Sequence, residues 1–98
     1  MSAEYRPLER PDLYVIARLL AKLERRGGAS RRTPLQMSAG LNYAVFARYL
    51  AYLMEKGLVS SNVDEEGFDT ITLTRKGFEV HDSLVRLLEE AFEVKRLR

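Results

Sequence analysis

The 98-residue chain contains no cysteine and a single histidine, His81. Without thiols, disulfide frameworks, thiolate zinc sites and cysteine nucleophiles are excluded. One imidazole rules out histidine-rich metal sites and restricts any Ser/His/Asp triad to His81. No apolar run approaches the ~18 residues that a membrane helix needs. The opening stretch MSAEYRPLER lacks the apolar core of a signal peptide, so a cytoplasmic protein without a membrane partner is expected. There is no paired nucleophile and base, no phosphate-cradling glycine loop and no metal-ligand spacing, so neither an enzyme nor a cofactor is expected. What is present is ordinary globular material: 46% apolar and 31% charged residues, enough for one compact domain and too little for two.

A second absence is local. No acid lies between Glu24 and Glu55, whereas Arg25, Arg26, Arg31, Arg32 and Arg48 all fall in that interval. The net charge of +2 hides this asymmetry, because the acids gather after Asp64. A local basic patch attracts phosphate even on a nearly neutral chain. The alternative is scattered, solvated surface charge.

Residues 1–10 read as a polar flexible arm with Arg6, Pro7 and Arg10. Pro11 suits a first helical turn and Asp12 its positive end. Leu13, Ile16, Ala17, Leu20 and Leu23 recur at three-to-four spacing and predict a helix over about 12–26, stopped by Gly27-Gly28. Thr33-Pro34 signals a second, short helix with Thr33 as its N-cap, broken by Gly40. Asn42 caps a third that runs to Gly57 as C-cap, with Phe46, Tyr49, Leu50, Leu53 and Met54 on one face. Two helices joined by a short glycine-containing turn form a helix-turn-helix. LVSSNV, the turn DEEG and the alternating FDTITLT then predict a β-hairpin, and Thr74 caps a last helix over about 75–97. The order is that of an α+β winged helix-turn-helix, with an arm at 1–10, the winged domain at 11–74 and a dimerisation helix at 75–98.

The last helix carries two apolar stripes. Phe78, His81, Val85, Leu88 and Phe92 form one; Val80, Leu84, Leu87, Ala91 and Val94 form another, about 120° round. One stripe suffices to pack a helix on its own domain. Two stripes on a helix ~33 Å long imply a second chain, and hence a homodimer with Val80, His81, Leu84, Val85, Leu87, Leu88, Ala91 and Phe92 at the interface. His81 on such a stripe reads as a core or interface residue rather than a catalyst. If its stripe is the seam, protonation weakens the dimer at acidic pH.

Three segments carry a family resemblance: Ser38, Ala39, Leu41 and Tyr43; Tyr49, Leu50, Tyr52, Leu53, Lys56, Gly57 and Leu58; and Leu73, Thr74, Lys76, Gly77 and Glu79. Over about residues 12–94 the chain resembles the small archaeal winged-helix DNA-binding proteins of the ArnR-like group. Its chromatin-associated members dimerise through a long C-terminal antiparallel coiled coil. The resemblance implies double-stranded DNA as partner, a twofold dimer, a nucleoid-associated place in the cytoplasm and no enzymatic activity. One departure matters. Lysines common on the exposed face of the third helix in that group are replaced here by Ala44, Ala47, Arg48, Ala51 and Tyr52, and the wing tip Asp64-Glu65-Glu66 is acidic. Either flanking arginines supply the phosphate grip, or the domain is a protein-interaction adaptor.

The candidate DNA contacts follow from this arrangement. Arg31 and Arg32 precede the second helix, where a helix-turn-helix meets the backbone. Arg25 and Arg26 end the first, where they also complement its dipole. Arg48 is placed to contact a guanine edge or a phosphate, and the methyls of Ala44 and Ala47 to touch thymine methyls. Gln36, Asn42, Tyr43 and Tyr52 are polar candidates, whereas Tyr49 beside Phe46 and Leu53 reads as core.

Overall fold

The computed structural model describes Leu8 and residues 10–94. Its elements are α1 (Leu13–Arg25), β1 (Ala29–Arg31), α2 (Arg32–Ala39), α3 (Tyr43–Glu55), β2 (Val59–Val63), β3 (Asp69–Leu73), α4 (Arg75–Arg86) and a π-helical turn, Leu87–Ala91. The α+β winged helix-turn-helix architecture is the expected one. Three local features differ from expectation.

The first is a third strand. β1 pairs antiparallel with β3 (Ala29 with Thr72, Arg31 with Thr70), so β3 is central in a sheet ordered β1-β3-β2. Because β1 runs straight into α2, Arg31 stays extended and is itself the N-cap, without a side-chain capping bond. Thr33, expected to cap, is the second helical residue instead. Pro34 becomes the third, where its missing N–H is one of the four that no intrahelical carbonyl serves.

The second concerns helix ends. Asp12, rather than a residue within the helix, caps α1: its Oδ1 accepts from the N–H of Tyr14 at 2.8 Å, which leaves Pro11 just outside. α1, α2 and α3 all close alike. An N–H beyond the last turn reaches back from Gly28 to Leu23 (2.8 Å), from Leu41 to Gln36 (3.4 Å) and from Leu58 to Leu53 (2.9 Å). The closure needs a left-handed residue one step earlier. At the end of α3 that residue is Gly57 (φ 73°), one past the actual C-cap Lys56.

The third is the C-terminal helix. The regular α-helix stops at Arg86, so α4 is about 18 Å long rather than ~33 Å. After the π-helical turn, Glu93 takes a positive φ of 56° and the N–H of Val94 bonds the Leu88 carbonyl at 3.0 Å. Val94 thereby folds back onto Ala17 and Val85. Lys95–Arg98 lie outside the described residues, as does most of the expected arm, of which Leu8 packs against the main core.

The core joins Leu19, Leu20 and Leu23 of α1, Leu35 of α2, Phe46, Leu50 and Leu53 of α3, and Ile71 and Leu73 of β3. Tyr49 is core as well, and its hydroxyl accepts the Asp12 N–H at 3.0 Å, tying α3 to the start of α1. Thr74 caps α4 by accepting from the Gly77 N–H at 3.0 Å. Lys76, oddly placed for a helix N-terminus, donates instead to the Lys56 carbonyl at 2.7 Å, at the negative end of α3.

Candidate nucleic-acid interface

α2, the turn through Gly40 and α3 set one face of α3 outward. Phe46, Tyr49, Leu50 and Leu53 point into the core, which leaves Tyr43, Ala44, Ala47, Arg48 and Ala51 on the other side. Asn42 Oδ1 accepts the Val45 N–H at 2.9 Å, so this candidate contact also serves as the cap that starts the helix. Tyr43 beside it is 59% exposed. Gln36 Nε2 donates to the Leu41 carbonyl at 3.3 Å, bracing the turn between the two helices.

The two neighbouring arginines diverge. Arg32, at the start of α2, lies 5.7 Å from the centroid of the Tyr43 ring and 5.5 Å from that of Phe46, which brings its charge to the N-terminal end of α3. Arg31 turns the other way, onto the wing. Its Nε contacts Asp64 Oδ2 at 3.1 Å, its Nη2 contacts Glu66 Oε1 at 2.9 Å, and its guanidinium lies 4.1 Å over the Phe68 ring. Arg25 and Arg26 are exposed at the end of α1, and Tyr52 is half-buried beneath the 5.4 Å approach of Lys56 Nζ.

Asp64 is held as firmly as Arg31. Its Oδ1 accepts from the N–H groups of Glu66 (2.9 Å) and Phe68 (3.0 Å). The Phe68 N–H holds its carboxyl below the usual carboxylate range; desolvation opposes this, and the Glu66 N–H and the Arg31 charge add to it. For Arg31, desolvation works against the charge, but Asp64 and Glu66 outweigh it and raise the pKa above its ordinary value. Asp64, Glu66 and Phe68 were not among the expected site residues. The acidic tip is visible in sequence, but nothing local marks a partner 33 positions upstream.

The expected dimer residues separate into two groups. His81 and Val85 are buried within the protomer, with Val85 against Ala17 of α1, and His81 Nδ1 sits 2.9 Å from Asp82 Oδ1. Leu88 packs with them. Val80 and Leu84 are half-buried, while Leu87, Ala91 and Phe92 are exposed. Val80, Leu84 and Leu87 border an open apolar groove of about 440 Å³, closed on its other sides by Leu13, Ile16 and Tyr52. Among the described residues, no group of three or more His, Asp or Glu side chains is placed to hold a metal ion, and no helix is long and apolar enough to cross a membrane.

The structure of Sso10a-2, a DNA-binding protein from Sulfolobus solfataricus, superposes with a TM-score of 0.72 at 19% identity, over 87% of this chain and 85% of that one. The PcaV transcriptional regulator from Streptomyces coelicolor gives a TM-score of 0.75 at 21% identity over 82% of this chain and 60% of its own. A MarR-family transcriptional regulator from Silicibacter pomeroyi gives 0.70 at 25% identity, with 81% of this chain and 53% of that one covered. The chain thus spans little more than half the length of the two regulators, and the likeness to Sso10a-2 and PcaV is one of fold. No curated protein sequence matches. The profile of the family described as winged helix-turn-helix matches residues 9–92, the stretch that holds α1 to α4 and the β2–β3 wing, and the chain belongs to that family.

Proposed function

We propose that the protein binds double-stranded DNA as a homodimer, as a transcription regulator or an architectural protein. The observation that carries this reading is the outward face of α3: it bears no acid from Tyr43 to Met54, and Arg32 is stationed over Tyr43 at its start. α3 enters the major groove, with Ala44 and Ala47 against thymine methyls and Arg48 on a guanine edge or a phosphate. Arg25, Arg26, Arg32 and the Tyr43 hydroxyl supply the phosphate grip. Since His81 and Val85 serve the protomer's own core, the dimer seam falls on the second stripe, at Val80, Leu84 and Leu87, and the twofold axis sets the half-site spacing. The resemblance of its sequence to small archaeal winged-helix proteins carries the further proposal of an archaeal, nucleoid-associated protein of the cytoplasm.

The acidic wing tip favours a second reading, a protein-interaction adaptor, because it would repel a phosphate strand. A salt titration of binding to generic duplex separates the two. DNA binding gives an affinity that falls log-linearly with salt, and Arg32→Ala or Arg48→Ala each lowers that slope by about 1 if the side chain neutralises a phosphate. An adaptor has no appreciable duplex affinity even at low salt.

A further inference from the structure

We propose that the wing tip is a built-in competitor for DNA: Asp64 and Glu66 occupy the Arg31 guanidinium as two phosphate oxygens would, and duplex binding displaces them. The inference rests on the DNA-binding reading above.

The geometry is that of anion recognition. Separate donors of one guanidinium, Nε and Nη2, engage separate carboxylate oxygens at 3.1 and 2.9 Å, the forked arrangement with which arginine grips phosphate. The competitor is also pre-organised. Both bonds from Glu66 and Phe68 N–H go to Asp64 Oδ1, which leaves Oδ2 aimed at Arg31, while Phe68 supports the guanidinium from below. Arg31 caps α2 directly before Arg32, and although the paired guanidinium is turned away onto the wing, its release would add a second positive charge at the start of α2, where Arg32 belongs to the proposed grip. The pairing is open enough to exchange, since the Arg31 side chain is 41% exposed and that of Glu66 71%. Exposed ion pairs are individually weak, so a polyanion that offers several contacts at once can take the guanidinium over.

Glu65 supplies the control. It lies between the two clamping residues and carries the same charge, but it is not part of the Arg31 pairing. Asp64→Asn keeps the Oδ1 acceptor that shapes the turn and replaces the oxygen facing Arg31 with a donor.

The experiment is a double-mutant cycle on duplex affinity with the full chain over a series of salt concentrations, each variant first shown by circular dichroism to be folded at the assay temperature. Asp64→Asn combined with Glu66→Gln is expected to tighten binding by about three- to tenfold and to steepen the salt slope. Glu65→Gln should change affinity less. In an Arg31→Ala background the gain should shrink, on a logarithmic scale, to no more than twice that of Glu65→Gln, because two charges are removed there and one here. An equal gain with and without Arg31 overturns the competitor and leaves a generic charge effect on a DNA-binding protein. Absence of duplex binding by the wild type and every variant at low salt overturns the DNA reading, and the competitor with it.

Discussion

Gly77 is the position where one added methyl group tests the packing of the whole C-terminal half. It lies buried in the first turn of α4, and a Cβ there would run into the carbonyl oxygen of Leu58 and touch Leu73 Cδ2 at 3.0 Å. The obstacle is backbone, and the same carbonyl accepts the Thr74 N–H at 3.1 Å, so it cannot swing aside without loosening the α4 cap. Alanine in a helix is worth about 1 kcal/mol over glycine. Overpacking of a tight site costs about 1–3 kcal/mol, occasionally more, and here the clash is with main chain, at the upper end. Gly77→Ala is therefore expected to destabilise by about 2 kcal/mol net. At ~4–8 °C per kcal/mol for a domain of this size, the thermal midpoint should drop by about 8–16 °C. Thermal denaturation followed by circular dichroism measures this. A midpoint at or above that of the wild type would refute the close approach of α4 to the α3–β2 junction. Because Lys76 and Thr74 fasten that junction too, a displaced α4 should also weaken duplex binding through the position of α3.

The proposed dimer seam makes a surface prediction. Leu87 is 51% exposed in the protomer, so Leu87→Glu should shift the chain toward monomer in sedimentation equilibrium while the protomer keeps its helical circular dichroism. An unchanged dimer would move the seam elsewhere. A pH prediction follows from Asp64. Its pKa lies below the ordinary 3.8 in the folded chain, so its stabilising effect is complete above that value and is lost as pH falls through the lower, folded pKa. The difference in thermal midpoint between wild type and Asp64→Asn should accordingly hold steady from pH 7 to about pH 5 and shrink below about pH 4. An NMR titration of the Asp64 carboxyl with a midpoint at or above 3.8 would contradict the clamp.

The parts of the fold legible in sequence are those with local causes. The three-to-four spacing of Ile16, Leu20 and Leu23 and the caps Asn42 and Thr74 act within a few residues, and they mark α1, α3 and α4. β1 is illegible because Ala29-Ser30-Arg31 is a strand only by pairing with β3, some forty positions later. That pairing in turn moves the cap of α2 from Thr33 to Arg31. The site divides along the same line. The outward face of α3 follows from helical periodicity, whereas the direction of Arg31 is decided by Asp64 and Glu66, far along the chain.

The last helix shows where periodicity itself becomes ambiguous. Apolar residues at three-to-four spacing up to Val94 fit a long straight helix with two faces, and they fit equally a helix that ends and returns. The structure takes the second course: the π-helical turn shifts Leu88 and Val94 onto Ala17 and Val85, so part of what resembled surface for a second chain is consumed at home. Spacing encodes that a residue must be covered, not by which chain. On the last helix, the apolar surface left for a partner is thereby narrowed to what folding back leaves uncovered: Leu87, more than half exposed, with the half-buried Val80 and Leu84 beside it along the groove and Phe92 beyond. A dimer built on so short a patch depends on those few contacts, and single substitutions in it should act on association rather than on folding.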